Sequence, residues 1–339
     1  MWIPSDFTIL VVDDDTALLD VTVALLRREG YNVLAATNGQ TAVNICRRHE
    51  IQLMILDYYL PDFTGEDVVR QVRTFDVEVQ ILLQTGYPQA PPRQLLHALA
   101  IQGYHGKADG PDKLMLWVDA ILKNYTEIRA RRNLEKSLLV MSLAMEARDL
   151  ETAGHTQRVV YLAERLGRAM GISGKQLDAL RQGAYLHDLG KLCVPDAILL
   201  KPYRLDAMER TIMEAHAERG YELALRIPGI PKEALEIIRH HHERWDGTGY
   251  PYELQGNDIP RLARIFAICD VYDALVSDRP YKETWSHEQA MVALQQERER
   301  HFDPAVVETF VAIFMHAKPV IVEAPTLPVL DFQESRLPR

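Results

Sequence analysis

The chain has 339 residues, 47% of them hydrophobic and 25% charged, with a net charge of −10 at neutral pH. That length provides for two domains with cores of their own, and the composition is that of a globular chain rather than a disordered one. The acidic balance excludes a general duplex-binding surface, which needs clustered Lys and Arg, so no DNA partner is expected. The N-terminus MWIPSDFTILVVDDD has no basic lead followed by an apolar run, and no later stretch reaches the length of a membrane span. A cytoplasmic protein with no membrane contact is the expectation. Cys46, Cys193 and Cys269 are widely spaced among apolar neighbours and read as buried, reduced thiols.

Residues 7-FTILVVDD-14 are a short apolar run ending in acids, the pattern of a buried parallel strand whose carboxyl end opens on a site. The runs 51-IQLMILDYYLPD-62 and 79-VQILLQTG-86 repeat it, with amphipathic segments such as 16-TALLDVTVALLRREG-30 between them. This alternation predicts an α/β doubly wound domain, in which ligands bind beyond the carboxyl ends of the strands. Asp13, Asp14, Asp57, Thr85 and Lys107 all fall at such ends. Grouped carboxylates attract a hard cation such as magnesium, and Asp57 is then placed to attack a phosphoryl group. Lys107 would steady the added charge and Thr85 would hydrogen-bond to it. The bland alternative is a structural doubly wound domain with acidic strand ends.

These positions resemble the receiver domain of two-component response regulators, a flavodoxin-like fold, over residues 5–125. The resemblance implies that Asp13 and Asp14 are the acidic pair for magnesium, Asp57 the phosphoacceptor, Thr85 the switch hydroxyl, Tyr104 the switch aromatic and Lys107 the invariant lysine. It also implies a cognate sensor histidine kinase as partner. Two departures stand out: Gly86 follows the switch threonine without a Cβ, and Ala108 stands where proline usually follows the lysine, which removes the usual bias toward a cis peptide.

Residues 113–145 read as one linker helix. Leu114, Val118, Ile121, Tyr125 and Ile128 recur at spacings of four and three, and Leu134, Leu138, Met141 and Met145 resume the repeat after the charged interruption 129-RARR-132. Such a seam is what a coiled-coil helix presents to a twin, so a homodimer is expected; the alternative is a helix packing onto its own domain.

Residues 140–318 are mostly helical by pattern, as in 157-QRVVYLAERLGRAMG-171 and 204-RLDAMERTIMEAHAERGYELALR-226, with Gly and Pro breaks at 228-PGIP-231 and 246-DGTGYP-251. The Pro-rich segment 319–339 reads as a flexible C-terminal tail. Nine of the twelve histidines lie after residue 146. In 185-YLHDLGK-191, the adjacent His187 and Asp188 offer a nitrogen and a carboxylate oxygen to one cation, and Lys191 shares their helix face. A hydrolytic site for a phosphodiester needs charge neutralisation and an activated water, which two cations about 3.5–4 Å apart supply together. His155, His187, Asp188 and Asp270 would enclose one ion, with Asp188 reaching a second held by His216, His241 and His242. Mixed imidazole and carboxylate donors suit iron, manganese or zinc better than calcium. Taken singly, each of these residues reads as packing or surface.

The motifs 187-HDLGK-191, 241-HHERWDGTGYP-251, 269-CDVYDAL-275 and 278-DRPYK-282 are similar to those of the HD-GYP family, cyclic di-GMP phosphodiesterases of the HD hydrolase superfamily. The resemblance implies an all-α domain with metal ligands His155, His187, Asp188, His216, His241, His242 and Asp270, and cofactors of two or three divalent transition metals, iron or manganese foremost. It implies Asp188 and Lys191 as catalytic, Lys191 stabilising charge on the phosphate, and Arg279 and Lys282 on the substrate phosphates. Gly249, Tyr250 and Pro251 form the loop that shapes the pocket and can bind diguanylate-cyclase-type partners. Where many family members carry Tyr, this chain has 151-ETAGH-155; family members with a glutamate there can hold a third metal, so Glu151 is a candidate ligand and full hydrolysis beyond pGpG to GMP is expected. The bland reading of Glu151 is a solvated acid at a helix end, and His240 reads as a bystander. Two alternatives stay open: a catalytically weak scaffold or sensor that binds cyclic dinucleotide or a cyclase-type partner, and a preference for cyclic GMP-AMP.

Overall fold

The computed structural model describes residues 3–86, 93–148, 154–277 and 284–315. The chain divides into two compact units, Met1–Asn133 and Leu134–Arg339.

In the first unit, strands β1 (Thr8–Val12), β2 (Asn32–Ala36), β3 (Leu53–Asp57), β4 (Gln80–Thr85) and β5 (Gly103–Gly106) pair in parallel in the order β2-β1-β3-β4-β5. Their apolar runs bury both faces. Leu10, Val12, Met54, Leu56, Ile81 and Leu83 point into one cluster, and Ile9, Val11, Leu53, Ile55 and Leu82 into the other, as the two-residue period of a strand requires. Helices α1 (Thr16–Arg28), α2 (Gly39–Arg48), α3 (Gly65–Arg73) and α4 (Arg93–Ala98) connect them. Asp15 caps α1 by accepting from the Ala17 and Leu18 amides, and Thr64 with Asp67 forms a capping box on α3. The doubly wound fold is therefore the one expected, and its strand order reverses beside β1 and β3, where the acids sit.

Helix α5 (Pro111–Glu146) is a single element of 36 residues. Leu114, Val118, Ile121 and Tyr125, read from the sequence as a seam for a twin, are buried in the core beneath the sheet, while Ile128 is exposed. Leu138 is fully buried, and Leu134, Met141 and Met145 pack around it against Leu186, Leu189, Leu235 and Ile238 of the second unit. The repeat marked a face that must be covered, and the chain's own cores cover most of it.

The second unit continues with α6 (His155–Ala169), α7 (Gly174–Leu186), α8 (Asp196–Leu199), α9 (Ala207–Glu214), α10 (His216–Ala224), α11 (Lys232–His240), α12 (Arg261–Val276), α13 (His287–Gln296) and α14 (Pro304–Phe314). The main core lies between α6, α7, α12, α13 and α14 and is centred on Phe266 and Phe310. The stretch 204–226, read as one helix, breaks at Ala215 into α9 and α10, and this sets His216 at the start of a new helix. After α7 a 3-10 turn, Leu189–Cys193, packs so closely on α10 that a Cβ on Gly190 would overlap the His216 carbonyl oxygen. Cys46 and Cys269 are buried as expected. Cys193 is exposed, because the tight turn spends its inward positions on Leu189 and Gly190. No described helix is long and apolar enough to cross a membrane.

Candidate metal centre

His187, His216 and His241 of the second unit are each aimed by a hydrogen bond from the far ring nitrogen. His187 Nδ1 lies 2.9 Å from the Ala184 carbonyl, His216 Nδ1 2.7 Å from that of Met213, and His241 Nδ1 2.9 Å from that of Ile238. Carbonyls only accept, so Nδ1 carries the proton in all three, and Nε2 keeps its lone pair for the interior. His155, the first residue of α6, is held differently: its Nδ1 meets Asp273 Oδ2 at 2.8 Å, and Arg158 Nε holds the other oxygen of that carboxylate at 2.7 Å.

The Nε2 atoms of His187, His216 and His241 converge on Asp188. Its Oδ1 lies 3.4 Å from His216 Nε2 and 3.9 Å from His241 Nε2, while Oδ2 lies 3.0 Å from His187 Nε2 and 2.8 Å from Lys191 Nζ. His216 Nε2 and His241 Nε2 are 3.4 Å apart, and His155 Nε2 is 3.5 Å from Asp270 Oδ1. Two groups of donors result, Asp188 with His216, His241 and His242, and Asp188 with His155 and His187, each with its ligand atoms within 4.8 Å of one another. Asp188 belongs to both, and Asp270 adjoins the second.

The electrostatics suit cation binding. Burial alone would raise the Asp188 carboxyl, but the neighbouring His187 and Lys191 hold it well below the usual carboxylate range. Burial, reinforced by the neighbouring histidines, holds His241 and His242 well below the ordinary imidazole value, and burial lowers His216. Neutral imidazoles beside an ionised carboxylate are the protonation states that metal ligands need. The donor set therefore fits divalent transition metals.

The walls are apolar and stiff. Phe266 lies with its ring 5.0 Å from that of His187 and 6.0 Å from that of His241. Tyr250 lies 4.7 Å from the His242 ring at 30°, which places the loop of Gly249, Tyr250 and Pro251 against the site. Burial pushes the Tyr250 phenol far up, so it stays a hydroxyl. Glu243, almost fully buried, holds this loop by accepting from the amides of Tyr252 at 2.9 Å and Leu254 at 3.0 Å. His240 turns toward Glu243, 3.5 Å away, and takes no part in either donor group.

Asp273 and Glu243 are functional residues the sequence reading passed over. Asp273 sits one helical turn after Asp270, and Glu243 directly follows the two ligand histidines, so proximity was the only available signal. Glu151, Arg279 and Lys282 lie outside the described residues.

In the first unit, Asp13, Asp14 and Asp57 bring their oxygens within 4.8 Å of one another. Lys107 Nζ lies 2.7 Å from Asp13 Oδ2 and 2.7 Å from Asp57 Oδ2. Burial raises the Asp13 carboxyl, against the opposing pull of Lys107. Thr85 is buried at the end of β4, paired with Gly106 just before Lys107, and Tyr104 is partly buried on β5 against the sheet's core.

A receiver-type acidic site on a parallel sheet and a helical cluster of donors suited to divalent cations define a signalling protein with a metal-dependent phosphohydrolase output. Comparisons agree: residues 9–119 match the response regulator receiver domain and residues 140–306 the HD domain. A cyclic di-GMP phosphodiesterase of Thermotoga maritima is 30% identical over 90% of this chain and 90% of its own length. The cyclic di-GMP phosphodiesterase response regulator RpfG of Xanthomonas campestris is 31% identical over 79% of this chain and 76% of its own. The 3'3'-cGAMP-specific phosphodiesterase 2 of Vibrio cholerae is 46% identical, over 49% of this chain and 32% of its own length. The chain belongs to the response regulators that join a receiver domain to an HD-GYP domain, and it is a metal-dependent phosphodiesterase.

Proposed function

We propose that this protein hydrolyses cyclic di-GMP, first to pGpG and then to GMP, under the control of phosphorylation at Asp57. The observation that carries the reading is Asp188, whose two oxygens face two separate sets of imidazoles. A pair of divalent cations held by these residues supplies neutralisation of the phosphodiester and activation of water. Water oxygen bonds to phosphorus as the P–O3′ bond breaks, and the leaving oxygen takes a proton, which leaves a 5′-phosphorylated linear dinucleotide. Lys191, anchored on Asp188, puts an ammonium beside that developing charge. Arg279 and Lys282 are assigned to the substrate phosphates, where a guanidinium offers bidentate contact. Glu151, four residues before His155, is assigned to a third cation that favours the second cleavage. Iron or manganese suits the imidazole-rich set, and magnesium the all-oxygen receiver site.

Two supporting roles complete the proposal. A sensor histidine kinase in the cytoplasm supplies the phosphoryl group, and the loop at Gly249, Tyr250 and Pro251 meets a diguanylate-cyclase-type partner. A homodimer would use what α5 leaves exposed, including Leu116, Ile128 and Val140.

One observation favours a second reading. The relative with 46% identity over 49% of this chain is named for 3'3'-cGAMP rather than cyclic di-GMP. The test is turnover of both dinucleotides by protein loaded anaerobically with Fe²⁺ or Mn²⁺, with and without a phosphodonor. Faster loss of cyclic di-GMP, with GMP as end product, is the expected result. Faster loss of cyclic GMP-AMP would reassign the substrate, and binding without turnover would leave a scaffold or sensor. An Asp57→Asn protein whose rate still responded to the phosphodonor would remove the phosphorylation control.

A further inference from the structure

The C-terminal end of α5 reaches the metal centre through its backbone. Glu146 is 9% exposed, and both its oxygens are engaged by amides: Oε2 accepts from Gly154 at 3.0 Å and Oε1 from Thr156 at 2.7 Å. These amides open α6, the helix whose first residue is His155, and Gly154 at its N-cap has no side chain to bond them. Glu146 therefore caps α6 from another helix, and its charge meets the positive end of the helix dipole.

Two residues on, Arg148 lies in the turn that closes α5, its amide bonded to the Met145 carbonyl. Its guanidinium donates from Nη1 to the Lys191 carbonyl at 2.9 Å and from Nη2 to that of Val194 at 2.8 Å. It also donates to Asp196 Oδ1 at 2.7 Å and 3.1 Å, which keeps the fork in plane. The Lys191 carbonyl belongs to the same turn that sets Lys191 Nζ 2.8 Å from Asp188. Met145, Glu146, Thr156, His187, Asp188 and Lys191 accordingly line one cleft.

We infer that Glu146 and Arg148 are positioning residues of the metal centre: Glu146 sets the backbone of His155, Arg148 sets that of Lys191, and neither touches substrate or ion. Asp273 fixes the ring of His155, while Glu146 fixes where the ring begins. The inference rests on the metal-centre reading and deepens it. Cation affinity and the placement of the Lys191 ammonium both depend on the last turn of α5.

The test uses the full chain, stripped of metal by a chelator and titrated with Mn²⁺ alone, with thermal unfolding followed in parallel. Glu146→Ala should weaken Mn²⁺ binding about 10–100-fold, the range for removing a group that orients a ligand. Glu146→Gln, which keeps one acceptor and is the milder change, should shift it the same way by less. Arg148→Ala should leave Mn²⁺ binding unchanged and lower kcat about tenfold at constant KM, because it acts on Lys191 rather than on a ligand. Arg148→Lys should not restore the rate, since one ammonium cannot span both carbonyls in a fixed fork. A residue with only a structural role would lower the unfolding temperature and leave the Mn²⁺ midpoint and kcat of the folded protein where they were. Parent-like Mn²⁺ affinity in whichever Glu146 variants fold, or parent-like kcat in Arg148→Ala, overturns the inference. A parent protein that takes up no Mn²⁺ overturns the metal-centre reading and the inference with it.

Discussion

Among the described residues, donors suited to cations gather in two places on opposite plans. In the receiver the donors are oxygens at strand ends, Asp14 is exposed, and Lys107 spans Asp13 and Asp57 with its own positive charge. In the HD domain the donors are mostly buried imidazoles, four of them aimed by a hydrogen bond to the scaffold, around a single shared carboxylate. An all-oxygen site with one exposed carboxylate suits a weakly held ion and a transferable phosphoryl group. A buried, preorganised nitrogen site suits ions that stay through many turnovers. The difference lies in the donors: the strand ends offer carboxylates, of which Asp13 and Asp57 are buried and Asp14 is exposed, whereas the packed helix ends offer imidazoles around one carboxylate.

The sharpest way to break this contrast is Asp188→Asn, which removes the charge common to both donor groups. Metal content should fall by both ions and the rate by about a thousandfold, the scale of several kcal/mol of lost charge stabilisation. Elemental analysis and turnover check it, and Asp57→Asn should leave the iron or manganese content unchanged. Next in size is Gly190→Ala, whose added carbon meets α10 backbone rather than a side chain that can turn away. Denaturant unfolding of the second domain should show a loss of about 3 kcal/mol, the upper end for overpacking.

Acid offers a third test. Burial and the charge of Arg244 push the His301 imidazole down to about 4, so the folded domain keeps it neutral after the unfolded chain has protonated near 6.5. Its contribution to stability is complete above pH 6.5 and falls as pH drops toward 4, by about 3 kcal/mol at most. Denaturation midpoints measured across that window should slope downward toward acid in the parent and flatten in His301→Phe, a ring that still stacks on Phe302. The smallest effect expected is at Asp273→Asn, which leaves the donor atoms in place and loosens only the aim of His155. Metal affinity should drop about tenfold, with the His216 and His241 group still filled, as competition with a chelator would show.

Much of this was legible in the residues themselves. Apolar runs ending in acids fixed a parallel sheet with its site at Asp13, Asp14 and Asp57, because a strand buried on both faces needs both alternations apolar. The adjacent pairs His187–Asp188 and His241–His242 announced cation ligands because neighbouring residues stay neighbours in any fold. Local pattern failed where a neighbour far along the chain decides. The repeat on α5 is the same whether a twin or the chain's own core covers it, and burial of Leu114, Val118 and Leu138 chose the core. The break at Ala215 carries no glycine or proline to mark it, and directly after it α10 meets the turn at Gly190. Asp273 reaches His155 across 118 residues, and Arg148 reaches Lys191 across 43. The sequence by itself determined which side chains can bind cations and which faces must be buried, since those depend on chemistry and short-range periodicity. Only the tertiary structure decided which groups aim and restrain the ligands, since hydrogen bonds between distant segments exist once packing has brought those segments together.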